Sequence, residues 1–220
     1  LLQATKGQIR WVLVTHTHLD HSPGAQLLIE KTGAELIAFE QPAEGFQDNT
    51  CQPSKPAQHR HTLETEEFSL TALHTPGHAS NHLCYLLHAE AMLFTGDHIM
   101  QGSTVVIAPT DGNMTHYLDS LSDLKQESIE RLAPGHGHLI EDATKEIDKL
   151  ISHRLMREQK VIEALKQLGK GDLPLLLKKV YDDVPIFLHP VAQLSLHAHL
   201  IRLAELGRVA RQQNDWLLSE

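Results

Sequence analysis

The stretch VTHTHLDHSPGA, residues 14–25, places three histidines and an aspartate within six positions, directly after an apolar run. In a β-strand, residues i and i+2 point to the same side of the sheet, so His16 and His18 are expected to project together where the strand ends. Asp20 and His21 follow in the turn before a predicted helix, where they can face a second ion. The stretch therefore predicts ligands for two metal ions.

Three later segments supply the additional ligands that two metal ions need. HTPGH, LFTGDH and LAPGHG each follow a β-like run and contain Gly or Pro, which lets the backbone turn sharply at the edge of a sheet. Ligand-type side chains in these turns are His78, Asp97 and His136. The predicted metal ligands are therefore His16, His18, Asp20, His21, His78, Asp97 and His136.

Composition predicts a soluble protein of 220 residues with an acidic net charge of −9. No apolar run approaches the ~20 residues of a membrane span, and the first ten residues lack the features of a signal peptide. A cytoplasmic protein without a membrane partner is therefore expected.

The acidic residues are concentrated before residue 150, and the slightly basic remainder suggests contact with something anionic. The oligomeric state is left open.

Periodicity divides the chain into two parts. Short β-like runs alternate with two helical segments up to about residue 140, and 41–57 is polar and Pro-rich, which is typical of an exposed loop. From Glu141 onward the pattern is helical, with three predicted helices followed by a possible hairpin in 205–220, an arrangement typical of a winged helix. We predict a metal-hydrolase domain over 1–145 and a winged-helix-like domain over 146–220.

The ordered motifs THTHLDH, TPGH, TGD and PGHG resemble those of the metallo-β-lactamase superfamily, and the chain is similar in particular to the β-lactamase-like protein 2 family. This resemblance implies an α+β fold, a four-layer αββα sandwich, with a small winged-helix-like C-terminal domain. Superfamily members carry several strands ahead of the first motif, whereas 15 residues precede His16 here. The N-terminal strands of the first sheet are therefore expected to be missing.

The resemblance also implies how the ligands divide between the ions. One ion would be held by His16, His18 and His78, and the other by Asp20, His21 and His136. Asp97 would bridge both ions, and Asp20 and Asp97 are the expected catalytic carboxylates. Zinc is favoured for this mixed set of imidazoles and carboxylates, and manganese or iron also fits.

Two divalent ions sharing a water would make hydroxide available at neutral pH, so the predicted reaction is hydrolysis. The favoured substrate is a phosphodiester such as single-stranded RNA, because the resembling family includes an endoribonuclease and the tail carries five candidate phosphate contacts. These are Lys178, Lys179, Arg202, Arg208 and Arg211. A glyoxalase II-like hydrolase acting on a small-molecule thioester is the alternative. A second alternative is a non-catalytic winged-helix binding module on a truncated metal domain.

Overall fold

A computed structural model of the chain describes residues 1–42, 45 and 47–219. The described strands and helices, in chain order, are β1 (Trp11–Leu13), α1 (Gly24–Thr32), β2 (Glu35–Ile37), β3 (His61–Glu64), β4 (Ser69–His74), β5 (Leu83–Leu87), β6 (Met92–Gly96), α2 (Met114–Leu124), β7 (Arg131–Pro134), α3 (Ala143–Leu168), β8 (Lys170–Gly171), α4 (Leu173–Val180), α5 (His189–Glu205), β9 (Val209–Gln212) and β10 (Asp215–Leu218).

Two sheets face each other in the first part of the chain. Strands β1 and β2 pair in parallel, and the second sheet has the order β3-β4-β5-β6-β7, antiparallel except for the parallel β6–β7 pair. Between the sheets lies an apolar core that includes Ile37, Leu83 and Tyr85. The Tyr85 hydroxyl crosses this core and donates a hydrogen bond to the Val14 carbonyl at 2.7 Å, which connects the two sheets next to the first motif.

Helices cover both outer faces of the sheet pair. Val12 and Val14 alternate with residues that face the second sheet, and they pack under α1 together with Ala25. On the opposite side, α2 and the first turns of α3 cover the second sheet through a core that includes Tyr117 and Leu150. The layers are therefore helix, sheet, sheet and helix, which confirms the predicted αββα sandwich. Residues 1–10 contain turns and no strand.

The predicted winged helix is also confirmed. The second half of α3 packs with α4 and α5 around a separate apolar core, and the three-stranded sheet β8-β10-β9 forms the wing. Helix α3 is continuous through the proposed boundary at 145/146, with its N-terminal turns in the core of the metal domain. The exact division of the chain at that residue stays a prediction.

Among the described residues, every helix is too short or too polar to span a membrane.

The described part of the segment 41–57 is a loop, as its composition predicts, but three of its residues are buried. Asp48, Cys51 and Ala57 are buried, whereas residues 43, 44 and 46 lie outside the described part of the chain. Asp48 is satisfied inside the protein because it accepts hydrogen bonds from the side chains of Ser22 and Thr50. The polar composition did not reveal this anchoring, since a buried carboxylate with enough donors is compatible with a packed loop.

Candidate metal centre

The loop after β1 that carries the first motif is held from both sides. The Asp48 N–H donates to the Thr17 carbonyl at 2.7 Å, and the Asn81 side-chain amide donates to Thr17 Oγ1 at 2.7 Å. Ser22 Oγ donates to Asp48 Oδ2 at 2.8 Å. Burial alone would raise the pKa of Asp48, but the hydrogen bonds from Thr50 and Ser22 outweigh it and lower this pKa. The ionised Asp48 therefore anchors the motif.

Three histidines form the first group of candidate ligands. His16, His18 and His78 each place a ring nitrogen within 4.8 Å of the other two. His78 Nδ1 donates to the Val106 carbonyl at 2.8 Å, which leaves the Nε2 lone pair directed toward the group. His18 Nδ1 lies 3.0 Å from that Nε2 atom. The geometry matches the three-histidine ligand set that the sequence resemblance implied.

Asp20, His21 and His136 form the second group, with ligand atoms that also lie within 4.8 Å of one another. Asp20 Oδ2 is 3.5 Å from His21 Nε2 and 3.6 Å from His136 Nε2. The Asp20 side chain is 65% exposed and that of His136 is 48% exposed, whereas His21 is only 12% exposed. This group therefore lies on the open side of the centre, where a substrate can enter.

Asp97 lies between the two groups. Its Oδ1 atom is 3.4 Å from His21 Nε2 and 3.5 Å from His136 Nε2, and its Oδ2 atom is 3.9 Å from His78 Nε2. One carboxylate thus directs one oxygen to each group. The structure brings all seven predicted residues together, and their roles as ligands stay predictions.

Buried polar atoms without partners show that these residues fit metal ions. His16 Nε2, His21 Nε2 and Asp97 Oδ1 are buried and have no hydrogen-bond partner among the described residues. Leaving such atoms unpaired is costly, and imidazole nitrogens and carboxylate oxygens are the donors that divalent transition metals prefer. The donor set is therefore suited to two divalent ions.

The electrostatic environments of the two groups differ. Burial and neighbouring histidines hold the pKa of His16 far below its usual value, and burial also lowers the pKa of His18 and His78. For His21, burial is outweighed by the Asp97 carboxylate 3.4 Å away, so the pKa of His21 is raised. A metal ion at the three-histidine group therefore meets less competition from protons than a metal ion at the group around His21.

This difference predicts the order in which the ions are lost in acid. As the pH falls, His21 gains a proton before His16, His18 or His78 does, because its pKa is raised and theirs are lowered. A metal ligand must be deprotonated, so the ion of the Asp20–His21–His136 group should leave at the higher pH.

The measurement is the cobalt content and absorption spectrum of the Co²⁺-loaded protein as a function of pH. We expect two steps, and His136→Ala should remove the step at higher pH. The exposed neighbour His138 provides the control, since His138→Ala should leave both steps in place. A single step that releases both ions together would contradict the expectation.

Two further buried histidines, His82 and His98, lie behind the candidate ligands. The Asp97 N–H donates to His82 Nε2 at 3.2 Å, so His82 Nδ1 carries the proton and donates to Thr75 Oγ1 at 3.0 Å. His98 is fully buried beside Tyr117, and burial lowers the pKa of His98 to about 3. His82 positions the backbone of Asp97, whereas His98 fills the core beside the Tyr117 ring.

Two further residues lie outside the predicted ligand set. His74 stacks on Phe39 with ring centroids 4.0 Å apart and is hydrogen-bonded to the Ser80 carbonyl. Val106, which orients His78, carried no sequence signal, because a backbone carbonyl contributes nothing to a side-chain motif.

Comparison with known proteins places the chain in a family. The family model of the metallo-β-lactamase superfamily matches residues 1–136, and that of the β-lactamase associated winged helix domain matches residues 174–216. A solved metallo-β-lactamase family protein from Thermus thermophilus superposes with a TM-score of 0.78 at 22% identity, over 96% of this chain and 80% of that chain. The chain belongs to the metallo-β-lactamase superfamily.

The similarity extends to particular relatives. The chain is 29% identical over 218 residues to the β-lactamase-like protein 2 homolog of Drosophila melanogaster, covering 95% of this chain and 73% of that protein. It is 31% identical over 183 residues to an atrochrysone carboxyl ACP thioesterase of Aspergillus chevalieri, covering 79% of this chain and 55% of that protein. The chain thus spans only about half the length of the thioesterase. Superfamily members are generally hydrolases and normally bind divalent metal ions.

Proposed function

We propose that the chain is a dinuclear metal-dependent hydrolase. The observation that carries the proposal is the position of Asp97, whose two carboxylate oxygens face two separate groups of candidate ligands. A carboxylate in this position would offer one oxygen to each of two ions and offset part of their charge. Zinc is the favoured metal, and manganese or iron is compatible with the same donors. When bound, such a pair lowers the pKa of a shared water and supplies a hydroxide nucleophile.

The residues of the chain have distinct tasks in this proposal. The Val106 carbonyl fixes the proton of His78 on Nδ1, so the lone pair of Nε2 is available to bind a metal ion. His82 holds the Asp97 backbone through its N–H group, which keeps the carboxylate between the two ligand groups. Asp20, on the exposed side, is the carboxylate nearest to an entering substrate, where it can orient a water or accept a proton.

A phosphodiester is the first candidate substrate. Four of the five cations predicted to contact phosphate are exposed, namely Lys178, Lys179, Arg208 and Arg211. The fifth, Arg202, is engaged with the buried carboxylate of Glu158 at 2.6 Å. Exposed cations on the winged-helix domain are compatible with contact to a nucleic-acid backbone, which such side chains position without reading the sequence. The phosphodiester substrate that we propose is single-stranded RNA.

A thioester is the second candidate, and a specific observation supports it. The Aspergillus relative named as an acyl carrier protein thioesterase is 31% identical over 79% of this chain. A cavity of about 300 Å³ between the two domains is lined by apolar side chains, among them Val105, Val184 and Val191, together with polar ones that include Arg154 and Arg157. Such a lining suits the apolar part of a thioester.

One comparison of substrates separates the candidates. The chain, loaded with zinc or with manganese, would be assayed on single-stranded RNA, a bis-aryl phosphodiester and a lactoyl thioester. We expect RNA cleavage that weakens with salt and falls further when Lys178 and Lys179 are both replaced by alanine, because each lost phosphate contact reduces affinity. Lys145→Ala, an exposed change on the metal domain, is the control and should have no effect.

Each other outcome has a distinct meaning. Turnover of the thioester alone would replace the first candidate by the second. Tight binding of two metals without turnover of any substrate would support the non-catalytic binding module instead of the hydrolase.

A further inference from the structure

The segment 103–107, between Asp97 and helix α2, connects the metal centre to the winged-helix domain. One residue of this segment, Val106, accepts a hydrogen bond from His78 Nδ1 at 2.8 Å. Because a carbonyl oxygen can only accept, this contact determines which ring nitrogen of His78 is free to bind a metal. The position of the Val106 peptide therefore matters to the three-histidine group.

The residues on both sides of Val106 are held by helices of the C-terminal half. Arg154 on α3 donates from Nη2 to the Val105 carbonyl at 2.5 Å. Ser195 on α5 accepts a hydrogen bond from the Ile107 N–H at 3.3 Å through Oγ. Both contacts are buried. The loop peptide that orients His78 is thus fixed at each neighbouring residue by a side chain from a different helix.

Arg154 is unusual because it is buried without a carboxylate. Its exposed fraction is 2%, it forms no ion pair with any described residue, and its guanidinium lies 5.1 Å from the centroid of the Tyr117 ring. One turn later on the same helix, Arg157 donates both to the Val180 carbonyl and to Asp183. Burying a guanidinium is costly, and the hydrogen bond from Arg154 to the Val105 carbonyl ties it to the loop beside His78.

We propose that Arg154 and Ser195 are positioning residues through which the winged-helix domain sets the orientation of His78. The path has three steps: helices α3 and α5 fix the peptides of Val105 and Ile107, these hold the Val106 carbonyl, and the carbonyl holds the His78 ring. The inference rests on the proposed metal centre, since its consequence is the affinity of the three-histidine group. The other ligand group does not contact this loop through any hydrogen bond found among the described residues.

The test uses the full chain with Arg154→Met and, separately, Ser195→Ala. Zinc affinity would be measured by competition with a chromophoric chelator. Loss of a partner that orients a ligand weakens metal binding by about 10-fold or more, so one of the two zinc ions should weaken by that factor while the other is retained. Arg154→Lys keeps a donor and should recover part of the loss. Ser195→Ala carries the test if Arg154→Met does not fold.

A second readout needs no metal. In the metal-free protein, two-bond ¹H–¹⁵N correlation spectra should show His78 protonated on Nδ1, and the variants should show a mixture of tautomers. Arg157→Met is the matched control: it removes a buried arginine whose hydrogen bonds stay within the winged-helix domain, so it should lower stability without changing zinc affinity or the His78 tautomer.

The outcomes separate this inference from the proposed function. Wild-type affinities and an unchanged His78 tautomer in both variants would overturn it, as would an equal loss in Arg157→Met. If the wild-type chain bound no metal, the proposed metal centre would fail. A tautomer change in the variants would still support the positioning of His78.

Discussion

Asp97→Ala is expected to abolish hydrolysis and to reduce the metal content of the chain to one ion or fewer. Asp97 is the carboxylate that faces both ligand groups, at 3.4 Å from His21 Nε2 and 3.9 Å from His78 Nε2. Without it, two divalent cations would lie close together with no shared anion, and each would lose a donor. Replacing His78 alone removes one ligand from one group, so its effect should be smaller.

The measurement combines turnover with metal content after reconstitution and desalting. Asp119→Ala provides the control, because Asp119 is an exposed aspartate on α2 and its replacement should leave both quantities unchanged. Retention of two ions and near-normal turnover in Asp97→Ala would show that the bridging role is wrong.

The second large effect is expected for Gly77→Ala, which should destabilise the fold by roughly 3 kcal/mol or more, from backbone strain and overpacking together. Gly77 has a φ of +155°, and a Cβ atom at this position would lie 2.6 Å from the Cα of Tyr117. The contact is with the backbone of α2, which cannot move aside as a flexible side chain could. The neighbouring candidate ligand His78 would be displaced as the chain relaxes.

Gly33→Ala is the matched control for that change. Gly33 ends helix α1 with a φ of +70°, but no atom lies within 4 Å of the Cβ position. The substitution should therefore cost only about 1 kcal/mol, from the left-handed conformation alone. The free energy of unfolding in urea measures both changes. Equal losses for Gly77→Ala and Gly33→Ala would mean that the contact with Tyr117 is unimportant.

The candidate ligands were predictable because each lies in a short motif at the end of a strand. Pairs such as His16 and His18 need only the two-residue period of a strand, and TPGH needs only a sharp turn. The winged helix was predictable for a similar reason, since its helices carry their own apolar periodicity. Local patterns thus predicted most of the fold and the residues that the structure brings together as candidate ligands.

What the sequence did not reveal depends on contacts between distant segments. Asp48 supports the first motif at Thr17 from a separate loop whose composition is polar. The Val106 carbonyl and the buried Arg154 act through a backbone atom and across a domain boundary. Strand β3 was not predicted either, because HTLE alternates too weakly to stand apart from the preceding loop. Such features appear only when the chain is folded.

The most direct test of the dinuclear centre is the number of metal ions bound per chain. The protein would be stripped with a chelator, reconstituted with zinc, desalted and analysed by elemental mass spectrometry alongside Asp97→Ala and Asp119→Ala. We expect two zinc ions per chain in the wild type and in Asp119→Ala, and one or fewer in Asp97→Ala. A wild-type chain that retains one zinc ion or none after reconstitution would contradict the dinuclear centre.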